Sequence, residues 1–428
     1  MTATGTPKAD PGPRSLGAYW ALAALAAGLV LGALAGTIAE GVRGNLVATA
    51  NFVGGLWLNA LKMTVVPLVV SLLVTGIAQG AEAARGGRIA ARSVLWMVIL
   101  CTASAIFGAL MILALTSLAP LPRDTAGLLQ AALSGVEQQV PEKLAGIADF
   151  FKGVIPDNVV AAAANGDILP LVVFASLFAL ALMHISAAAR RTIVGLFAAI
   201  ADALLVIIGW VLWIAPLGVF ALAFTVGATA GGAAFTGLGH YVLLISLIGV
   251  AVTLMAYPLA MLAGRVAPGR FIKAMIAPQA VAISTRSSLA SLPAMLEAAR
   301  VIGVREQVAD VTLPISVALF RATGPAMNTA VAFYVAHWLG LEPTIGQMIA
   351  ATAVGAMMSY GAVSLPGEIS FISSIAPIAM ALGVPIAPLA LLVAVEMIPD
   401  IFRTVGNVTM DVAVATAVDQ SVESSPES

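Results

Sequence analysis

Six residues within one stretch of this sequence could do chemistry together: Glu396, Asp400, Arg403, Thr404, Asn407 and Asp411. They sit in LLVAVEMIPDIFRTVGNVTMDVAVATAVD, residues 391–419, which is long enough to cross a bilayer as one helix at about 1.5 Å per residue. At 100° per residue the six fall within roughly a third of the helix circumference, and the other face is Val, Ile, Met and Ala. Ionisable groups at membrane depth are costly, so they face a protein interior or a water-filled path. The plainer reading is a helix braced by its own salt bridges. The favoured one is a site for a polar substrate or ion, because an acid and a base one turn apart suit a zwitterion carrying an extra carboxylate.

The elements that must position this face are membrane helices. The 428 residues are 61% hydrophobic and only 10% charged, with a mean hydropathy of +1.04, which no soluble domain matches. A net charge of −1 gives no reason to expect a nucleic-acid partner, and the single Cys101 excludes a disulfide framework. Residues 1–16 read as a polar tail before an anchored first helix rather than as a cleaved signal.

Apolar runs predict helices near 17–37, 46–78, 93–118, 159–185, 193–226 and 240–264. Lys62 and Pro67 predict a tilted or kinked second helix. Residues 124–157 read as a weakly amphipathic stretch, IPDNVVAAAANGDILP as a broken helix or loop, and 420–428 as a polar tail. Arginines and lysines follow the second, fourth and sixth helices (Arg85, Arg88 and Arg92; Arg190 and Arg191; Arg265, Arg270 and Lys273), which puts both termini in the cytoplasm.

Past residue 265 the apolar pieces shorten. Residues 271–283 and 289–299 flank the polar break STRSS, and 345–358 and 369–382 flank SYGAVSLPGE. Pieces this short predict re-entrant hairpins, here placed at 270–300 and 345–385. Each hairpin precedes a helix with an inward arginine, Arg321 about ten residues into its helix, or Arg403. Interrupted segments repeated in two halves point to a secondary-transporter site. The fold expected is all-α and polytopic, with eight transmembrane helices, two re-entrant helical hairpins and inverted repeats.

This arrangement resembles the glutamate transporter family, the dicarboxylate/amino acid:cation symporters. TRSS (285–288), SLP (364–366) and DIFRTVGNVTMD (400–411) carry the likeness most strongly, and ANGDILP and IAPLGVFAL add to it. The resemblance implies an elevator-type transporter: a trimeric scaffold of residues 17–81 and 119–239, and a moving domain of 82–118 and 240–419. It implies that Asp400 holds a substrate ammonium, Arg403 pairs a side-chain carboxylate, Thr404 and Asn407 bond the substrate backbone, and Ser287, Ser288 and Ser364 assist from the hairpin tips. Arg286 would pair with Asp400. The partners implied are an acidic amino acid, protons, the bilayer of a prokaryotic inner membrane and two further copies of the chain. No cofactor is implied.

One departure stands out. Where the family has an Asn-Met-Asp-Gly-Thr run supplying sodium ligands, this chain has Phe320-Arg321-Ala322-Thr323-Gly324, and Leu100 and Cys101 replace expected hydroxyls. Phe320 and Ala322 offer no side-chain oxygen to a hard cation, so no metal is expected there. Arg286, Arg321 and Arg403 balance Glu396, Asp400 and Asp411, and Arg321 reads as a permanent stand-in for bound cation. Proton-coupled, sodium-independent symport follows as the expectation, with Asp411, Glu396 or Glu368 carrying the proton. A dicarboxylate symporter, or one sodium site built from backbone carbonyls, are the alternatives. A channel fits paired hairpins less well. An intramembrane enzyme lacks a base, because His184, His240 and His337 lie near helix ends.

Overall fold

A computed structural model describes residues 14–35, 37, 39–122, 127, 128, 131, 154–360 and 367–423, all helix or connection with no strand among them. The first helices are α1 (Arg14–Ala35), α2 (Glu40–Ala84) and α3 (Arg88–Leu118). The stretch 132–153 lies outside the described residues, as do the first thirteen residues and the last five. Helix α2 runs unbroken past Pro67, with Ser71 Oγ donating to the Pro67 carbonyl at 2.8 Å. Its 45 residues span about 68 Å, well over twice the hydrocarbon core, so it must tilt or project.

Two predicted helices are pairs. The run at 159–185 divides into α4 (Val159–Asn165) and α5 (Ile168–Leu182). Asn158 caps α4 by accepting from Val160 N at 2.9 Å and Ala161 N at 3.1 Å, and Gly166 closes it at φ +75°. The run at 193–226 divides at Ile214 into α6 (Ala187–Trp213) and α7 (Ala215–Ala230). Pro216 explains the break: it suits the first turn of α7, has no N–H to donate to the Leu212 carbonyl four residues back, and its ring would clash there in a continuous helix. Next, α8 (Ala233–Leu262) begins seven residues before the predicted 240.

The rest are α9 (Pro268–Thr285), α10 (Ser288–Ile302), α11 (Glu306–Leu319), α12 (Thr323–Trp338), α13 (Ile345–Met358), α14 (Gly367–Leu382), α15 (Ala387–Val395) and α16 (Met397–Glu423). The predicted hairpins are α9–α10 and α13–α14, each packed on its own partner. The helix expected to contain Arg321 is two half-helices, and the long 391–419 helix is broken at Glu396.

Helices α1, α2, α5, α6 and α7 pack on one another through α1–α7 and α2 contacts, while α8 lies on α16, α3 on α12, and α14 on α12. A Cβ at Gly32 or Gly227 would collide with backbone of the facing helix, so glycine is what lets α1 and α7 touch. Among the described residues, five helices (α2, α3, α6, α8 and α16) are long and apolar enough to cross a membrane. Of these α16 is enclosed, 83% of its spanning stretch being buried against 11% for α6. That enclosure is what allows α16 to be polar.

Candidate functional site

The charged core is assembled at helix breaks. Glu396 stands between α15 and α16, and α16 then delivers Asp400, Arg403, Thr404, Asn407 and Asp411, all less than 9% exposed. Arg403 Nη1 contacts Glu396 Oε1 and lies 3.3 Å from Asp400 Oδ1. Its Nε and Nη2 are buried and donate no hydrogen bond among the described residues. One edge of the guanidinium is therefore tethered. The other is the edge that takes a carboxylate bidentately.

From the first hairpin, Arg286 brings Nη1 to 3.8 Å from Asp400 Oδ2. Arg286 joins α9 to α10 at φ +51°, left-handed backbone unusual for a residue with a side chain. Ser287 caps α10 by accepting from Ala290 N at 3.2 Å, and Ser288 opens that helix. Thr404 Oγ1 donates to the Asp400 carbonyl at 2.9 Å. Ser364 falls outside the described residues, and so does the side chain of Glu368.

Asn407 also has a structural bond: its Oδ1 accepts from Thr323 N at 2.9 Å and so caps α12. Its amide nitrogen is the end left for other work. The expectation that Arg321 lies deep in a helix is corrected, since it occupies the non-helical join between α11 and α12 and is only partly buried. Arg321 Nη1 reaches Ser370 Oγ of α14 at 3.5 Å, and its charge acts on Asp400, Asp411 and Arg403. The Ala322 carbonyl accepts from Ser104 Oγ of α3 at 2.5 Å, and the Arg321 carbonyl accepts from Gly324 N at 3.1 Å. Phe320 packs edge-on against Tyr360 at 6.0 Å between ring centres. Leu100 is half-buried and Cys101 fully buried. Asp411, 1% exposed, accepts no hydrogen bond at either oxygen among the described residues.

Sequence reasoning missed Tyr241 of α8, whose hydroxyl donates to Glu396 Oε2 at 2.9 Å. The signal was present: a phenol amid Val, Leu and Ile at membrane depth needs a polar partner. Ser104 and Thr323 were missed too, because Ser104 Oγ donates to a backbone carbonyl and Thr323 donates its backbone N–H, both at a break that was itself unforeseen.

Comparison with known sequences agrees with this geometry. The Sodium:dicarboxylate symporter family matches residues 19–421. The chain is 29% identical to a proton/sodium-glutamate symport protein of Bacillus subtilis, over 92% of this chain and 90% of that one. It is 28% identical to a proton/glutamate-aspartate symporter of Escherichia coli, over 85% and 82%. It is 29% identical to a neutral amino acid transporter B(0) of Oryctolagus cuniculus, over 91% and 76%. With its helical hairpins, enclosed charged helix and near full-length match, the chain belongs to the sodium:dicarboxylate symporter family, a family of membrane transporters and not of enzymes.

Proposed function

We propose that this protein imports an acidic amino acid, aspartate or glutamate, together with a proton and without sodium, by an elevator movement. The observation that carries the substrate class is the buried Nε–Nη2 edge of Arg403, a bidentate carboxylate site with no occupant among the described residues. A neutral side chain would leave those two donors buried and unmatched, which costs more than a well-made hydrogen bond gains. Asp400 then faces the ammonium. A plain C4-dicarboxylate is the second reading, favoured because Arg286 and Arg403 already balance Asp400 without one.

The coupling ion follows from the join at Phe320–Ala322. Sodium needs several converging oxygens. Here Phe320 and Ala322 supply none from their side chains, the Ala322 carbonyl is engaged by Ser104, and Arg321 brings a positive charge. Three arginines against three acids leave the core neutral, so one net negative charge from the substrate calls for one proton.

The moving unit comprises residues 82–118 and 240–419, and the scaffold 17–81 and 119–239. The enclosure of α16 and the mutual packing of α3, α8 and α9–α14 support that division. The scaffold makes a homotrimer in a prokaryotic inner membrane, with both termini cytoplasmic.

Proteoliposomes with an inward pH gradient and no sodium should accumulate aspartate, and Arg321→Met should impair this. Accumulation only under an inward sodium gradient would overturn the coupling, and succinate displacing aspartate at lower concentration would select the dicarboxylate reading.

A further inference from the structure

We propose that Glu396 is the residue that takes up the proton accompanying the substrate, with Tyr241 as its positioning partner. This inference rests on the proton-coupled reading above and specifies which carboxylate serves it.

Three carboxylates compete for Arg403 once substrate is present. Glu396 Oε1 and Asp400 Oδ1 both approach Nη1, and the incoming carboxylate takes Nε and Nη2. Asp400 has a second cation, Arg286, at 3.8 Å. Glu396 has none among the described residues: its other oxygen is held by the neutral Tyr241 hydroxyl at 2.9 Å. When the substrate carboxylate draws on the guanidinium, Glu396 is the anion left short of positive charge, and at 2% exposure it has no water to compensate. A proton on Glu396 restores neutrality where the new charge arrived.

The surrounding elements leave this assignment undisturbed. From α16 the charged groups within two turns of Glu396 are Asp400 and Arg403, and from α8 the nearby ionisable ones are Tyr241 and His240. His240 is occupied with Tyr334 Oη and the Ala119 carbonyl, both at 2.9 Å. Tyr334 of α12 lies tilted beside Tyr241, with ring centres 5.5 Å apart, and donates to the Gly237 carbonyl. No ionisable residue lies on α7, none on α1 beyond Arg14 and Tyr19 in its first two turns, and none on α14 beyond Glu368.

Tyr241 suits both protonation states. A hydroxyl can donate to the carboxylate, then rotate to accept from the carboxylic acid. Proton uptake therefore needs no rearrangement of α8, only a turn of one O–H bond. Asp411 is the competing carrier. It lies near Arg321 and far along α16 from the free edge of Arg403, so the substrate adds no charge beside it.

The test is calorimetric titration of aspartate into the purified full-length protein, in buffers of differing protonation enthalpy, which counts protons taken up per aspartate bound. The natural protein should take up about one near pH 7, and Glu396→Gln about none, with an affinity that no longer varies between about pH 6 and pH 8. Uptake persisting in Glu396→Gln and lost in Asp411→Asn would overturn the inference while leaving proton coupling intact. No uptake by the natural protein would overturn both. Should Glu396→Gln fail to fold, Tyr241→Phe, which removes one oxygen and keeps the ring packing, provides the second arm. It should change aspartate affinity by about 3- to 10-fold at one end of the pH range and less at the other. A pH profile superimposable on that of the natural protein would sink the assignment.

Discussion

Replacing Arg403 tests the site at its most exposed assumption, that the free edge of this guanidinium holds a substrate carboxylate. Arg403 is 6% exposed, and its Nε and Nη2 are buried without a hydrogen-bond acceptor among the described residues. Two charge-assisted hydrogen bonds to a bound carboxylate contribute about 1.5–3 kcal/mol each. Removing one partner of a buried charged pair costs about 3–5 kcal/mol, so the two routes to a magnitude agree. Arg403→Ala should weaken aspartate about 10²- to 10⁴-fold, beyond calorimetric detection for a micromolar ligand. The same substitution strips Glu396 and Asp400 of their shared cation, so its folding must be followed by size exclusion. Arg403→Lys guards against that ambiguity by keeping a charge while losing the planar fork, and should cost about 10- to 100-fold. A dissociation constant within about threefold of the natural protein's, in a folded variant of either kind, would remove Arg403 from the site.

The second hairpin should gate the extracellular side: a cysteine at Ser364, in a background without Cys101, should become more accessible to a thiol reagent when a bulky competitive inhibitor is bound. Labelling indifferent to every ligand would refute the gate. Gly108 of α3 lies where a Cβ would run into the Ala326 backbone of α12, so Gly108→Ala should lower the thermal midpoint by an overpacking cost of about 1–3 kcal/mol. Gly44→Ala, with nothing within 4 Å of the added carbon, should leave the midpoint unchanged or slightly raised. Equal midpoints for the two variants would refute close α3–α12 packing.

Most of the architecture was legible because membrane burial writes itself into apolar run length. The hairpins showed as apolar pieces too short to span, and the charged face of α16 showed as six polar residues in angular register. The breaks at 320–322 and at Glu396 were not read, since Phe-Arg-Ala and Val-Glu-Met carry no glycine or proline of their own. Both breaks are nevertheless punctuated just downstream. Pro325 and Pro399 each occupy the third position of the helix that follows, α12 or α16. A proline there gives up only an N–H that has no partner within the helix, and its ring would clash with a helical carbonyl four residues back, at Arg321 or Val395. The register of those two prolines locates both breaks within a residue. Tyr241 and Ser104 stayed hidden for another reason: their partners are more than 150 residues away, and no local pattern encodes such a contact.

The arginine seated in the join between α11 and α12 has an electrical consequence. A unit charge moved through a membrane potential exchanges about 2.3 kcal/mol per 100 mV. A core whose positive charge comes and goes with bound cations makes every transport cycle subject to that voltage. Arg321 is covalently part of the protein, so in the proposed elevator movement its charge would travel in both directions and its electrical work would cancel over the cycle. With the proposed cargo of one acidic amino acid and one proton on board, no net charge would be added either. Accumulation would then follow the pH difference alone, favouring uptake from acidic surroundings and leaving a strongly polarised but pH-balanced membrane with nothing to offer.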